Sequence, residues 1–305
     1  MAKKRKLIVI PQAGLGNRMR VLSSCIRLAI KDNRKLYIAW PINEALGCDM
    51  TDIFESIGID YSVPPRWIQY LLTKIYRPGA INKYYTLFKL ISKIFSDKSI
   101  FDDDIIDYKT NKLKKIAFNS NDATILVASC LAFGNYNEQS SYDEYLKDEE
   151  SRLFFKFFKF NDHIERKVNK EYHRIGEPFI GIHIRRTDHV DLIKQNPIEN
   201  YLKQIDKAIS ENKVQKFFLA TDDINIKNTF INKYGNRIYT FNSKLNRNNV
   251  EGIHGAVIEL ILLSLSSKII CSIISSYSNA AVLIGAPKEV LYIEASLFKD
   301  MQDKT

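Results

Sequence analysis

The amino-acid sequence predicts an α/β fold with two halves, each a parallel β-sheet wrapped by helices. A strand–helix–strand pattern opens the chain, in residues 7–40. From residue 179 onward, short β-type runs alternate with helical stretches of about 10–15 residues, which is typical of parallel sheets. The 305 residues, 45% of them hydrophobic, suffice for one large domain or two ordinary ones.

The first βαβ unit follows from the N-terminal sequence. Leu7–Ile10 is a continuous apolar run, and Pro11–Asn17 has the composition of a turn. From Met19 onward, apolar residues recur at helical spacing, and Lys35–Trp40 forms a second strand. Another apolar run predicts a buried strand at Thr124–Cys130.

The second half contains five predicted strands. They cover residues 179–184, 216–221, 237–241, 268–272 and 289–295. Helices are predicted between them, beginning after Pro197, at Ile224, near Gly255 and near Ser276. Gly176 and Pro178 interrupt the pattern before the first of these strands. The sequence therefore predicts an N-terminal α/β domain with a helical insertion, residues 1–176, and a C-terminal Rossmann-like domain, residues 177–305.

The helical insertion, residues 64–97, is aromatic and basic and is interrupted by Pro78-Gly79. Two interpretations stay open. The segment forms a helical hairpin packed on the domain, or its helices lie at the surface and contact an anionic membrane.

The net charge of +10 suits a nucleic acid, an anionic membrane surface or a phosphorylated small substrate, although a compositional bias toward lysine would also produce it. The apolar run near the N-terminus is far shorter than the roughly 7–15 residues of a signal-peptide core. The four cysteines show neither zinc-site nor disulfide spacing. We therefore expect a reduced, cytoplasmic protein.

Two adjacent arginines, Arg185 and Arg186, end the strand at 179–184. Ligands of open α/β sheets bind at the carboxyl ends of strands, and guanidinium groups match phosphate oxygens. His183 points the same way as Arg185 along the strand, and Asp188 is a candidate structural partner. The pattern favours an anion-binding site over a purely structural ion pair.

A second candidate site is the loop after the first strand. Gly14 and Gly16 would let the backbone turn tightly and approach a ligand, and the following helix would present its free N–H groups there. Asn17 and Arg18 add polar groups at the same place. An ordinary βα turn is the alternative, since the third glycine of a dinucleotide-binding fingerprint is missing.

Polar residues recur at the ends of the later strands. Asp222 follows the strand at 216–221, and its neighbour Asp223 suits a helix cap. Glu259 lies within an apolar helix and needs a partner, for which the two adjacent donors of a guanine base are suited.

Three serines follow the strand at 268–272, and they either bind phosphate or cap the next helix. They are Ser275, Ser276 and Ser278. The five histidines lack the spacing of metal ligands, so no metal site is expected.

Four segments together resemble the α-1,6-fucosyltransferases, the group of core-fucosylating and rhizobial nodulation-factor enzymes. "HIRRTD" at 183–188 with "PIENY" at 197–201 is similar to the family's first motif. "FLATDD" at 218–223 and "VIELILLSLSSKIICSIISSYS" at 257–278 resemble its second and third motifs, and "GLGNRMR" at 14–20 resembles a loop of the wider superfamily. In residues 60–175 no motif of the family is recognised.

The resemblance implies a GT-B fold, two Rossmann-like domains facing across a cleft, with GDP-fucose as donor, a glycan hydroxyl as acceptor, inversion at the sugar and no metal or other cofactor. It implies that Arg185, helped by Arg186 and by backbone amides near Ser275 and Ser276, balances the charge of the departing diphosphate. His183 and Glu259 would hold guanosine, with Asp222 nearby; relatives commonly have aspartate where Glu259 stands.

The catalytic base is predicted at Asp191, with Asp188 as a second carboxylate, because Ile193 stands where relatives have a glutamate. Two other functions stay open from the sequence. They are transfer from another GDP-hexose and non-catalytic binding of a sugar nucleotide or nucleic acid.

Overall fold

The computed structural model describes residues 5–75, 83–107, 112–114, 116–119, 121–133, 149–186, 196–211, 215–242, 246–272 and 275–293. The chain divides into two compact units. The first comprises residues 1–161 with 247–250, and the second comprises residues 162–246 with 251–305.

The first unit is built around a parallel sheet. Its helices are α1 (Leu15–Lys31), α2 (Arg66–Ile75), α3 (Lys83–Phe95), α4 (Asp102–Ile105) and α5 (Glu149–Phe155). Its strands are β1 (Lys6–Pro11), β2 (Lys35–Ile38), β3 (Phe54–Ser56), β4 (Tyr61–Ser62), β5 (Lys98–Phe101), β6 (Ile106–Asp107), β7 (Lys112–Leu113), β8 (Thr124–Ser129) and β9 (Lys159–Phe160). The sheet order is β4-β2-β1-β8-β5, with β3-β9 and β6-β7 as antiparallel pairs.

The apolar run of β1 follows from its central place in this sheet. It pairs in parallel with β2 on one side and β8 on the other, and Leu7, Val9 and Ile10 are fully buried. A strand covered on both faces needs apolar residues throughout. The predicted strands at the start of the chain and at residue 124 are thus confirmed, and the insertion contains two helices, α2 and α3, as the sequence indicated.

The second unit is a five-stranded parallel sheet covered by helices. Its helices are α6 (Asp162–Ile175), α7 (Ile198–Glu211), α8 (Ile224–Tyr234), α9 (Val250–Ser264) and α10 (Ser276–Gly285). Its strands are β10 (Phe179–Ile184), β11 (Lys216–Thr221), β12 (Ile238–Tyr239), β13 (Lys268–Ser272) and β14 (Glu289–Ile293), in the order β12-β11-β10-β13-β14. All five predicted strands are present.

The boundary between the units differs from the predicted one at 176/177, since it falls between Asn161 and Asp162. Helix α6 belongs to the second unit. Its apolar face, including Ile164 and Val168, is buried, and the ring of Tyr172 lies 6.0 Å from that of Phe179 on β10. The amphipathic pattern of α6 indicates a buried face but does not indicate which sheet covers it.

The strand order of the second unit places a crevice beside β10. The chain runs from β10 outward to β11 and β12, and then crosses to β13 on the other side. Ligands of open α/β sheets bind where the order reverses, at the carboxyl ends of the strands. None of the helices in the described part of the chain is long and apolar enough to span a bilayer.

Candidate active site

The carboxyl ends of β10, β11 and β13 bring together polar residues that are distant in the sequence. A small pocket opens at this edge. Its lining residues are Ile184, Arg185, Arg186, Asn196, Tyr201, Ser272 and Ser275. The two arginines therefore lie where the sequence predicted, at the reversal point of the sheet.

The structure fixes Arg186 by two hydrogen bonds. Its backbone N–H donates to Oδ1 of Asp222 at 2.7 Å, and its Nη2 donates to the carbonyl oxygen of Asn196 at 2.9 Å. Asp222 thus ties the end of β11 to the end of β10, and it is already engaged with the protein. Arg185 is half-buried at the pocket wall.

His183 is a buried, neutral imidazole next to the arginines. Its Nδ1 lies 2.6 Å from Oγ of Ser278, and its ring centroid lies 4.9 Å from that of Tyr277. Burial lowers the pKa of His183 to about 4, with Arg185 adding to the decrease and Asp222 opposing it. At neutral pH this side chain offers one donor and one acceptor and carries no charge.

Glu259 is a buried carboxyl group on α9, and its side chain is only 8% exposed. Burial raises its pKa to about 8; Asp222 adds to the increase, and Lys227 opposes it. Lys227 itself donates to the carbonyl oxygen of Phe241 at 2.9 Å. Within the part of the chain that the structure describes, no hydrogen bond reaches the Glu259 carboxyl group, which makes it a candidate for a ligand with two donors.

The serines after β13 have different roles. Oγ of Ser275 accepts the backbone N–H of Ser278 at 3.4 Å and caps α10, which is one of the two roles proposed from the sequence. Ser278 is fully buried and its hydroxyl contacts His183, so it orders the imidazole. Ser276 is partly exposed at the first position of the helix. Asp223 caps α8 as predicted, by accepting from two backbone N–H groups.

Sequence reasoning missed Ser272, the last residue of β13. Its hydroxyl is buried in the pocket wall, and in the described residues it has no hydrogen-bond partner. The rule that ligands bind at the carboxyl ends of parallel strands would have indicated this residue. Asn196 and Tyr201 carry no comparable signal, because a loop and a helix bring them to the pocket.

In the first unit, the Gly14–Arg18 loop differs from its predicted geometry. The left-handed residue of the turn is Ala13, with φ of 64°, whereas Gly14 is extended with φ of −75° and caps α1. The helix begins at Leu15, four residues earlier than Met19, so Gly16 and Asn17 lie in its first turn. A Cβ atom added to Gly14 would meet nothing within 4 Å, which leaves open space at this helix N-terminus.

Arg18 is fully buried beneath the same loop. Its guanidinium donates to the carbonyl oxygens of Ala13 at 2.8 Å and Pro41 at 2.5 Å, and to Oδ1 of Asn43 at 3.2 Å. It also lies 4.7 Å from the ring of Trp40, and burial lowers its pKa to about 9. These contacts fix the shape of the loop; direct contact between Arg18 and a ligand stays a prediction.

The two predicted catalytic carboxylates, Asp188 and Asp191, lie outside the described residues. In the part of the chain that the structure does describe, no group of three or more His, Cys, Asp or Glu side chains could hold a metal ion. All four cysteines are free thiols, and three of them are buried.

Comparisons with known proteins agree with this fold. Residues 151–281 match the family model described as alpha-(1,6)-fucosyltransferase N- and catalytic domains. No curated protein sequence matches. The structure is similar to that of NodZ alpha-1,6-fucosyltransferase soaked with GDP-fucose, with 19% identity over 92% of this chain and 93% of that chain and a TM-score of 0.59.

Two other fucosyltransferase structures are similar over nearly the whole chain. FUT1 of Arabidopsis thaliana, as a mutant in complex with GDP, has 16% identity over 96% of this chain and 71% of that chain, with a TM-score of 0.60. POFUT1 in complex with GDP has 10% identity over 96% and 99% of the two chains, with a TM-score of 0.55.

These structural similarities show that the chain has a GT-B fold. The match over residues 151–281 covers the motifs around Arg185, Asp222 and Glu259. This family match confirms, for residues 151–281, the resemblance to α-1,6-fucosyltransferases inferred from the sequence.

Proposed function

We propose that this enzyme transfers fucose from GDP-fucose to a hydroxyl group of a glycan acceptor, with inversion at the sugar and without a metal ion. The donor is supported by the family match and by similar proteins whose structures are described as containing GDP or GDP-fucose. Inversion and metal independence are proposed from the resemblance of the sequence to the α-1,6-fucosyltransferases.

The observation that carries the proposal is the buried Glu259 carboxyl group without a hydrogen bond from the described residues. A guanine base presents N1–H and its exocyclic amine side by side, and one carboxylate accepts from both. Uracil and adenine do not present two adjacent donors of this kind. Guanine therefore satisfies a group whose burial is otherwise unfavourable, and the site discriminates between bases.

We place the diphosphate of the donor against the arginine pair, Arg185 and Arg186. Arg185 and Ser272 line the pocket, and the Ser272 hydroxyl has no hydrogen-bond partner among the described residues. The N-terminus of α10 lies at the same edge of the sheet. Negative charge develops on the diphosphate as the bond to the sugar breaks. Fixed guanidinium groups and a helix N-terminus stabilise that charge, which is the work a divalent cation does in other enzymes.

Inversion requires a single displacement. The acceptor oxygen attacks C1 of fucose from the face opposite to the diphosphate, a C–O bond forms, and the bond from C1 to the phosphate oxygen breaks. The electron pair leaves with GDP, and a base takes the proton of the acceptor hydroxyl. We assign the base to Asp191, with Asp188 as the second candidate.

Two further parts of the chain are assigned binding roles, each within its own unit. The neutral imidazole of His183 would bond to guanosine, with Ser278 fixing its orientation. Gly14, Gly16, Asn17 and Arg18 would form or support a ligand-binding loop at the N-terminus of α1.

Thermal unfolding against GDP, GDP-fucose, GDP-mannose, UDP and ATP tests the donor site. A ligand at about a hundred times its dissociation constant adds about 2.7 kcal/mol to the free energy of unfolding. We expect this increase for GDP and GDP-fucose, its loss in Arg185→Ala, and its retention in Arg166→Ala, which removes an exposed arginine on α6. Stabilisation by UDP or ATP alone would overturn the proposal. Turnover with GDP-mannose but not with GDP-fucose would show that the enzyme transfers mannose instead of fucose.

Turnover assays test the chemistry. Activity retained in excess EDTA supports metal-independent transfer, and activity restored only by a divalent cation contradicts it. The anomeric configuration of the product, determined by NMR, distinguishes inversion from retention.

A further inference from the structure

Residues 61–96 differ from the rest of the chain in charge. They contain six basic residues and no aspartate or glutamate, whereas the whole chain of 305 residues has 45 basic and 35 acidic ones. The six are Arg66, Lys74, Arg77, Lys83, Lys89 and Lys93. This segment includes helices α2 and α3, and nothing in the fucosyl-transfer chemistry requires its charge.

Several large apolar side chains of these helices are exposed. Leu90 is 64% exposed, Ile94 is 77% exposed and Phe95 is 65% exposed at the end of α3, while Trp67 on α2 is 69% exposed. Leu87 is also exposed. Leu87, Leu90 and Ile94 are spaced three and four residues apart, so they share one face of α3.

The opposite face of α3 packs against the rest of the first unit. Phe88 and Ser92 are buried, and the ring of Phe88 lies 6.1 Å from that of Phe101 on β5. Lys89 is held by an ion pair with Asp103. The helix is thus apolar on both sides, although a surface helix of a globular protein ordinarily turns a polar face to water.

Exposed aliphatic and aromatic groups with lysine and arginine beside them are typical of helices that lie in the headgroup region of a bilayer. Tryptophan and tyrosine suit that depth, and Tyr70 lies one turn from Trp67 on α2. A second copy of the chain would bring its own exposed Arg66 and Lys93 against the same two residues of the first copy. The charge therefore favours an anionic surface as the occupant and opposes self-association.

We propose that the α2–α3 surface, made up of the exposed residues Trp67, Leu87, Leu90, Ile94 and Phe95 with the exposed basic residues Arg66 and Lys93, docks the enzyme on a bilayer containing anionic phospholipid. Docking inserts the apolar side chains to the headgroup boundary while the basic groups contact lipid phosphates. The helices lie along the surface without crossing it.

The protein carries its own probe for this contact. It has two tryptophans, of which Trp40 is buried with its indole N–H donating to the carbonyl oxygen of Cys48, and Trp67 is exposed. We expect the emission of the full-length protein to shift to shorter wavelength with vesicles of phosphatidylcholine and phosphatidylglycerol. Pure phosphatidylcholine vesicles should produce a much smaller shift, and brominated lipid should quench Trp67.

Vesicle co-sedimentation of variants locates the contact. Each basic residue near an anionic surface contributes about a fivefold increase in the partition coefficient, so Lys93→Glu should lower it about twentyfold. Leu90→Glu combined with Ile94→Glu should abolish binding. Ile224→Glu combined with Ile231→Glu adds the same two charges at exposed apolar positions of α8 and should leave binding within about twofold of that of the wild type.

The outcomes separate the alternatives. Thermal unfolding shows whether each variant is folded, and Lys93→Glu alters an exposed side chain outside the packed face of α3. Absence of binding to anionic vesicles at low salt would overturn the proposal, as would equal binding by the wild type and the double variant. Self-association in ultracentrifugation that the double variant abolishes, without vesicle binding, would assign the surface to a second copy.

Discussion

Replacing Glu259 with glutamine tests whether this carboxyl group binds guanine. The ionised carboxyl group should lower the stability of the free protein and should strengthen binding of GDP. Burial raises the pKa of Glu259 from 4.5 to about 8. The folded protein therefore binds this proton more tightly than the unfolded chain does. Between pH 4.5 and 8, the free energy of unfolding should fall by about 1.4 kcal/mol per pH unit from this group, to a total of about 5 kcal/mol.

Glu259→Gln removes that pH dependence, since the amide resembles the protonated carboxyl group in size and has no charge. We expect wild type and variant to have similar stability at pH 5. At pH 9 the variant should be more stable by up to about 5 kcal/mol. Urea unfolding at both pH values, in the absence of nucleotide, measures this difference.

Binding of GDP should show the opposite preference. Guanine donors require the carboxylate, so the wild type must release the proton when it binds. With a pKa of about 8, the dissociation constant should fall about tenfold from pH 6 to pH 7 and level off above pH 8, and about 0.9 proton should be released at pH 7. Calorimetry in buffers of different ionisation enthalpy counts the protons.

Glu259→Gln also serves as the control for titration of the nucleotide phosphate, because that titration contributes equally to binding by both proteins. Glutamine offers one acceptor and places an amino group against a guanine donor, so Glu259→Gln should bind GDP more weakly at pH 8 and should lose the preference for GDP over ATP. Equal affinity in both proteins, or no proton release beyond that of the variant, would refute the placement of guanine against Glu259.

Three other substitutions probe the site and its supporting loop. Arg185→Ala should lower kcat by about 10²–10³ with little change in stability, measured by steady-state kinetics and thermal unfolding; an unchanged kcat would exclude Arg185 from charge stabilisation. Gly14→Ala should leave the free energy of unfolding within about 0.5 kcal/mol, because its φ of −75° and open surroundings accept a methyl group, and a larger loss would contradict the open space there. Arg18→Ala should cost about 3 kcal/mol by removing three hydrogen bonds, one of them to the buried carbonyl oxygen of Pro41, and a neutral result in urea unfolding would contradict its structural role.

The sheet of the second unit was predictable because its strands are buried on both faces. Such strands are continuous apolar runs, and the polar residue after each run marks the carboxyl end where ligands bind. This physical rule located Arg185 and Asp222 at the pocket edge without any structure. The same rule applied to the strand ending at Ser272 would have found the unpartnered hydroxyl there.

Other features depend on contacts that local sequence does not encode. Arg18 has the same sequence signature whether it binds a ligand or the protein, and its partners at Pro41 and Asn43 lie 23 and 25 residues away. The left-handed turn falls on Ala13 next to a glycine that would adopt it more easily. The sequence does not indicate that α1 begins at Leu15, because the first turn of this helix is polar and contains glycine.

The central position of β10 also determines when the active site assembles during synthesis. β10 pairs with β13 through contacts such as Ile182 with Ile270, 88 positions apart in the chain. The arginine pair leaves the ribosome long before its opposite wall, the end of β13 and the cap of α10, has been made. Closing such a long loop is slow relative to local helix formation. Nascent chains that end before residue 268 therefore lack a donor pocket, and the enzyme becomes competent to bind nucleotide only when its last strands have joined the sheet.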